Sequence, residues 1–159
     1  MVLGIRGETG DANQTAVGTQ IESVIRALHR PILIVNQAYS EPKKVMLAYD
    51  GSPASAKALN MLASSPLFKT TECHVLHVGR EDDALLKTAK FTLEAAEINC
   101  VTKNMEGKIE DVIIQYQNDN DIDLTIMGAF SHHRLRDLLL GSFTAKMLEK
   151  TQRPLLLLR

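Results

Sequence analysis

The sequence lacks any long run of apolar residues. Near the carboxyl end the longest unbroken run is Leu155 to Leu158, far below the ~20 residues that a membrane-spanning helix needs. The amino end has neither a basic start followed by a long apolar region nor a small-residue cleavage site, so a secretory signal is not expected. These absences favour a cytoplasmic protein that is neither exported nor embedded in a membrane.

Clustered basic residues and paired cysteines are also missing. The 18 basic and 19 acidic residues give a formal charge of -1, and no Lys/Arg tract supplies the electrostatic footprint of a nucleic-acid binder. Cys73 and Cys100 are the only cysteines and form no Cys-x-x-Cys pair. Without a secretory context they indicate reduced, partly buried thiols rather than a disulfide framework.

What is present is the composition of an ordinary globular protein. The chain has 159 residues, of which 45% are apolar and 23% charged. This length can bury one sizeable core, so we expect a single domain with room for an appendage.

From residue 44 onward, short apolar runs alternate with helical patterns. This alternation is typical of crossover units that build a parallel sheet. Ser52 followed by Pro53 is a start signal for the first helix, since serine caps a helix well and proline suits the first helical position. Five strands are predicted, at residues 44–49, 72–78, 100–104, 123–127 and 154–158.

The segment after the fourth predicted strand carries the strongest functional signal. Gly128 ends that strand. Nine residues separate Ser131 from Gly141 and Ser142, which open the next helix. A glycine at a strand end lets the backbone approach a ligand closely, and a helix start presents free amide groups to phosphate oxygens. The spacing indicates a nucleotide site, although glycines also end strands and cap helices for purely structural reasons.

The first forty residues repeat the end of the chain. Val2-Leu3-Gly4 matches Ile126-Met127-Gly128, Arg30-Pro31 matches Arg153-Pro154, and the step of thirteen residues from Gly18 to Pro31 recurs from Gly141 to Pro154. The repeat predicts a strand-loop-helix-strand fragment of a preceding domain in residues 1–40 and a complete domain in residues 41–159. The alternative is an extra strand and helix of one larger sheet.

Three segments together resemble the universal stress protein family. They are Val45-Met46-Leu47-Ala48-Tyr49-Asp50-Gly51-Ser52, Val75-Leu76-His77-Val78, and residues 127–142, which begin Met127-Gly128-Ala129-Phe130-Ser131. The resemblance implies an α/β fold with a five-stranded parallel sheet in the order 3-2-1-4-5 and helices on both faces. It also implies ATP as the ligand, with or without Mg or Mn, bound where strands one and four diverge.

The resemblance assigns roles to eight positions. Asp50 would bond the nucleoside, the backbone of Val78 would meet the adenine edge, and Met127 and Gly128 would line the sugar and the first phosphate. The phosphates themselves would be held by Ser131, Gly141, Ser142 and Phe143. Asp50 has a structural alternative, because Asp-Gly-Ser after a strand is also a common turn and helix start.

One departure from the family pattern keeps a second function open. Ser131 stands where nucleotide-binding members have glycine, which is unfavourable if that position needs a positive φ angle. The leading interpretation is an ATP-binding regulatory or stress-response module without efficient catalysis, since no nucleophile, paired carboxylates or metal cage is recognisable. The alternative is a nucleotide-free dimerisation or scaffold domain.

The family resemblance also predicts how the chain associates. The last strands of two such domains often lie side by side in a homodimer or in a pseudo-dimer of tandem domains. Ile32 to Val35 against Leu155 to Leu158 is the expected contact. No nucleic-acid or membrane partner is expected.

Overall fold

The computed structural model describes residues 1–4, 30–35, 40–128, 146–148 and 150–158. Within these ranges seven strands form one sheet. The strands are β1 Val2–Gly4, β2 Ile32–Val35, β3 Lys44–Ala48, β4 Glu72–Val78, β5 Cys100–Met105, β6 Leu124–Gly128 and β7 Leu155–Leu158. The helices are α1 Pro53–Ser64, α2 Asp83–Ala95 and α3 Ile109–Asp119, with a 3₁₀ turn at Pro66–Phe68, and residues 146–148 and 150 are also helical.

The five strands from β3 to β7 are all parallel to one another. Their spatial order is β7-β6-β3-β4-β5, which is the predicted order 3-2-1-4-5 read from the other edge. The predicted strand positions are confirmed to within one residue. β3, β4, β6 and β7 are short and largely buried, as expected when helices cover both faces of a parallel sheet. β5, at the edge of the sheet, has no buried residue.

The amino-terminal strands continue the same sheet, which has seven strands in the described part of the chain. β1 pairs with β2 in parallel, and β2 pairs with β7 in antiparallel orientation. The expected contact between Ile32–Val35 and Leu155–Leu158 therefore exists within the chain, with Leu33 opposite Leu156. The helix expected between β1 and β2 falls within residues 5–29, outside the described part of the chain.

Helices cover both faces of the sheet and create two apolar clusters. α1 and α2 pack on one face, with the buried residues Ser55, Ala58, Leu59, Leu62, Leu86, Ala89 and Leu93. α3 and the helical residues Met147 and Leu148 pack on the other, and α3 contributes Val112, Ile113 and Tyr116. In the described part of the chain, no helix combines the length and the apolar character needed to cross a bilayer.

Candidate functional site

The candidate site lies where β3 and β6 end side by side. After β3 the chain continues into α1, on one face of the sheet, whereas the helical residues after β6 pack on the other face. In an open α/β sheet a crevice forms where neighbouring connections leave in opposite directions, at the carboxyl ends of the strands. The strand order therefore places the crevice beside Asp50 and Gly128, as the sequence predicts.

A cavity of about 90 Å³ occupies this position. It contains four of the eight residues that the sequence proposes as ligand contacts: Asp50, Val78, Met127 and Gly128. Its remaining lining residues are Ala48, Tyr49, Ser55, Leu76, Ile109 and Ile113. The described wall is thus mostly apolar, with one carboxylate at its border.

Asp50 shapes the turn between β3 and α1. Its Oδ1 accepts a hydrogen bond from the backbone N–H of Ser52 at 3.0 Å, and the Ser52 Oγ accepts one from the N–H of Ser55 at 3.2 Å. Ser52 is the N-cap of α1 and Pro53 its first residue, which confirms the predicted helix start. Asp50-Gly51-Ser52 therefore forms a turn and a helix start, which is the structural alternative for Asp50. The Asp50 carboxylate also borders the cavity.

Gly51 allows this turn to be as tight as it is. Its φ is +71°, a left-handed conformation that residues with a Cβ adopt only at a cost in free energy. A Cβ here would also come within 2.7 Å of the Leu85 Cδ1. The turn holds Asp50 at the end of β3 because glycine follows it.

Packing against α1 requires glycine at position 128. A Cβ at this position would lie 2.8 Å from the Cβ of Ala54 and 2.9 Å from the backbone nitrogen of Ser55. The end of β6 therefore contacts the first turn of α1 directly, and this contact closes one wall of the cavity. The sequence pattern identified the glycine but not this reason for it.

Tyr49 and His77 fix the backbone at the ends of β3 and β4. The N–H of Tyr49 donates to the carbonyl of Leu76 at 2.9 Å, and the Nδ1 of His77 donates to the carbonyl of Tyr49 at 2.9 Å. Burial, and then the negative charge of Asp50, raise the pKa of the Tyr49 hydroxyl above its ordinary value. Tyr49 is therefore a neutral, buried wall of the cavity at physiological pH.

Ile109 and Ile113 are site residues that the sequence pattern did not reveal. They lie one turn apart at the start of α3 and face the ends of β3 and β6 through the cavity. Their spacing indicates only an apolar helix face, which is expected of any helix that packs on a sheet. Only the order of elements along the chain could have indicated them, because α3 leads directly into β6.

The predicted phosphate-binding residues lie outside the described part of the chain. These are Ser131, Gly141, Ser142 and Phe143. The structure therefore brings together Asp50, Val78, Met127 and Gly128 only. Among the described residues, no group of three or more His, Cys, Asp and Glu side chains is arranged to hold a metal ion.

Comparisons with known proteins are consistent with this geometry. The model of the universal stress protein family matches residues 79–159. The universal stress protein Slr1230 of Synechocystis is 38% identical over 100% of this chain and 57% of its own length. The chain thus spans little more than half of that relative.

Solved structures of the same family share the fold. A universal stress protein from Archaeoglobus fulgidus aligns with a TM-score of 0.73 and 21% identity over 90% of this chain and 53% of its own. A family member from Arabidopsis thaliana, solved with AMP bound, aligns with a TM-score of 0.58 and 16% identity over 74% of this chain and 91% of its own.

Proposed function

We propose, for a chain that belongs to the universal stress protein family, that the crevice between β3 and β6 binds an adenine nucleotide, with ATP as the expected ligand. The observation that carries the proposal is the shared cavity of Asp50, Val78, Met127 and Gly128 at the strand-order switch. The AMP bound to the Arabidopsis relative supports an adenine ligand in this fold. The protein then acts as a regulatory stress-response module rather than as an efficient enzyme.

The chemistry of the described wall suits a nucleoside. Val78, Met127, Ile109 and Ile113 offer apolar surface to a flat base, and the carboxylate of Asp50 accepts hydrogen bonds from ribose hydroxyls. A carboxylate cannot favour phosphate, so the phosphates must point away from Asp50. They would extend past Gly128 toward the segment that contains Gly141 and Ser142.

The volume of the cavity favours the competing function, a nucleotide-free dimerisation or scaffold domain. About 90 Å³ is well below the ~300 to 1,000 Å³ of pockets that enclose small ligands. A nucleotide would place only part of its base or sugar inside the described walls. The rest of its contacts must come from the segment after Gly128, which includes Ser131.

Two measurements separate these functions. Mass spectrometry of ligand released from the denatured, freshly purified protein is expected to show adenine nucleotide, and calorimetric titration with ATP, with and without Mg²⁺, is expected to show saturable binding. The scaffold function replaces the proposed one if no adenine nucleotide is released from the purified protein and the titration shows no binding up to millimolar ATP. A phosphate-release assay tests the absence of efficient catalysis, since rapid turnover would contradict it.

The variant Asp50→Asn tests the site. Asparagine keeps an oxygen that accepts the Ser52 N–H but removes the charge, so the turn survives while the ribose contact weakens. A charged hydrogen bond contributes ~1.5 to 3 kcal/mol, so the Kd is expected to rise by at most about 10- to 150-fold. The matched control is Asp119→Asn, at an exposed position near the end of α3, and equal affinity in both variants would remove Asp50 from the site.

A further inference from the structure

The two cysteines of the chain lie side by side in the sheet. β4 and β5 are parallel neighbours, and their register pairs Cys73 with Cys100. Residues paired in this way point to the same face of a sheet, and both side chains pack in the apolar cluster that α1 and α2 cover. Both cysteines are free thiols. The fold therefore brings together two thiols that lie far apart in the sequence.

The spacing of the strands suits a bond between the two sulfurs. Neighbouring strands lie ~4.8 Å apart, within the range of about 4.4 to 6.8 Å that separates the Cα atoms of disulfide-bonded cysteines. The Cβ atoms of a disulfide lie closer, at about 3.5 to 4.5 Å, so the two strands must approach by a few tenths of an ångström. β5 pairs only with β4 within the described residues, and Cys100 is its first residue. The start of β5 can therefore make this movement without disturbing a second strand.

The two thiols differ in their access to solvent. Cys73 is fully buried, with 0% of its surface exposed, whereas Cys100 at the edge of the sheet is partly exposed. Lys90 and Glu94 of α2 are close enough for their charges to act on Cys100. A small uncharged oxidant therefore reaches Cys100 first, and the sulfur of Cys73 is held beside the product of that reaction.

The surroundings of the pair favour redox chemistry over metal binding. Among the described residues, no third His, Cys, Asp or Glu side chain joins the two thiols in a group that could hold a metal ion. A structural zinc site needs four protein ligands, and a catalytic one needs three. An accessible cysteine beside a second cysteine that can react with its oxidised sulfur is, in contrast, a common arrangement in redox-sensing proteins.

We propose that Cys73 and Cys100 form a reversible redox site whose substrate is hydrogen peroxide and whose product is a disulfide between β4 and β5. The thiolate of Cys100 attacks one peroxide oxygen, the O–O bond breaks, and the sulfur becomes a sulfenic acid as hydroxide leaves. The sulfur of Cys73 then attacks the sulfenic sulfur, an S–S bond forms, and the S–O bond breaks as the Cys73 proton and the hydroxyl group leave as water. In total the two thiols give up two electrons and two protons, and one peroxide molecule becomes two water molecules. The inference does not depend on nucleotide binding at Asp50.

The surroundings of the pair also determine how its oxidation depends on pH. Burial, and then the charge of Glu94, raise the pKa of the Cys100 thiol, whereas the ammonium group of Lys90 lowers it. Because the thiolate is the nucleophile, oxidation is expected to be slow at neutral pH and to accelerate by about tenfold per pH unit below the raised pKa. Burial raises the pKa of Cys73 to about 12. Its position beside Cys100 compensates for the small thiolate fraction, because an intramolecular step proceeds at a high effective concentration.

Peptide mapping of the oxidised full chain tests the proposal. The reduced protein is treated with hydrogen peroxide, its free thiols are alkylated, and it is digested with trypsin without a reducing agent. Residues 70–80 and 91–103 are expected to appear as one disulfide-linked species. The number of thiols that react with Ellman's reagent in denaturant is expected to fall from 2 per chain to nearly none, and dithiothreitol is expected to restore both.

Two variants assign the roles of the cysteines. Cys73→Ala removes the thiol that would form the disulfide, so the sulfenic acid on Cys100 is expected to persist and to react with dimedone, a reagent for sulfenic acids. Cys100→Ala is the matched control, since it also removes one thiol but leaves only the fully buried one. Dimedone labelling of Cys100→Ala and of the parent is expected to be at least tenfold lower than that of Cys73→Ala.

Three results would overturn the proposal. The first is the absence of the linked peptides 70–80 and 91–103 from the oxidised parent. The second is equal dimedone labelling of the parent and of Cys73→Ala, because Cys73 then does not react with the sulfenic acid. The third is a disulfide between two chains through Cys100 as the main product, because the sulfur of Cys73 is then out of reach. The peptide map needs no substitution and therefore decides the question even if Cys73→Ala does not fold.

Discussion

Replacing Gly128 by alanine tests the contact that closes the candidate site. The new Cβ would lie 2.8 Å from the Cβ of Ala54, 2.9 Å from the nitrogen of Ser55 and 3.1 Å from the carbonyl carbon of Ala54. Two of these three atoms belong to the backbone of the first turn of α1. Neither can move without shifting the capped end of the helix.

The expected loss follows from overpacking a buried contact. Forcing an extra methyl group into a well-packed interior lowers the free energy of unfolding by ~1 to 3 kcal/mol. For a chain of 159 residues each kcal/mol lowers the melting temperature by ~2 to 4 °C. Gly128→Ala is therefore expected to melt about 2 to 12 °C below the parent.

Urea unfolding in a double-mutant cycle identifies the cause of the loss. Ala54→Gly removes one contact atom but leaves the nitrogen of Ser55 at 2.9 Å from the new Cβ. In the Ala54→Gly background, Gly128→Ala is therefore expected to cost more than half of the free energy of unfolding that it costs in the parent. Full recovery would mean that only side chains clash. Unchanged stability of Gly128→Ala itself would refute the close approach of β6 to α1.

Two further predictions concern pH. Burial, and then the Cys100 thiol opposite it, raise the pKa of Cys73 from 9.0 to about 12. Since the unfolded chain releases this proton at a lower pH than the folded chain, the free energy of unfolding should fall as the pH rises above about 9. In urea titrations Cys73→Ala should show a shallower fall than the parent. Equal slopes for the two proteins would contradict this. Burial alone would raise the pKa of Glu110, but its own backbone N–H and the ammonium groups of Lys146 and Lys108 lower it below its usual value. Its contribution to stability is then complete at neutral pH and lost as the pH falls through the lowered pKa. Glu110→Gln should therefore reduce the decrease in the free energy of unfolding at acid pH. An unchanged decrease would show that these contacts do not stabilise the fold.

Most of the fold from β3 onward is predictable because each element carries a local signal. Short apolar runs between turn residues locate the strands, and Ser52-Pro53 locates the start of α1. Asp50 and Gly128 are predictable as neighbours once the alternation of strands and helices fixes a parallel sheet. No long-range information is needed beyond the topology that such crossovers impose.

Other features depend on contacts that no local pattern encodes. Ile109 and Ile113 line the cavity only because α3 lies across the ends of β3 and β6, and the tight contact of Gly128 with Ala54 depends on how closely α1 packs. The repeat in the first forty residues predicts two more strands. The pairing of β2 with β7 is expected from the family resemblance rather than from the repeat, and it joins both halves in one sheet.

The reversal of strand direction between β2 and β7 determines where the two glycine-ended strands point. β6 runs one way and β1 the other, so the chain leaves Gly128 and Gly4 at opposite rims of the sheet, roughly one strand length or ~15 Å apart. A molecule that contacts only one rim of the sheet therefore reaches the end of only one of these two strands.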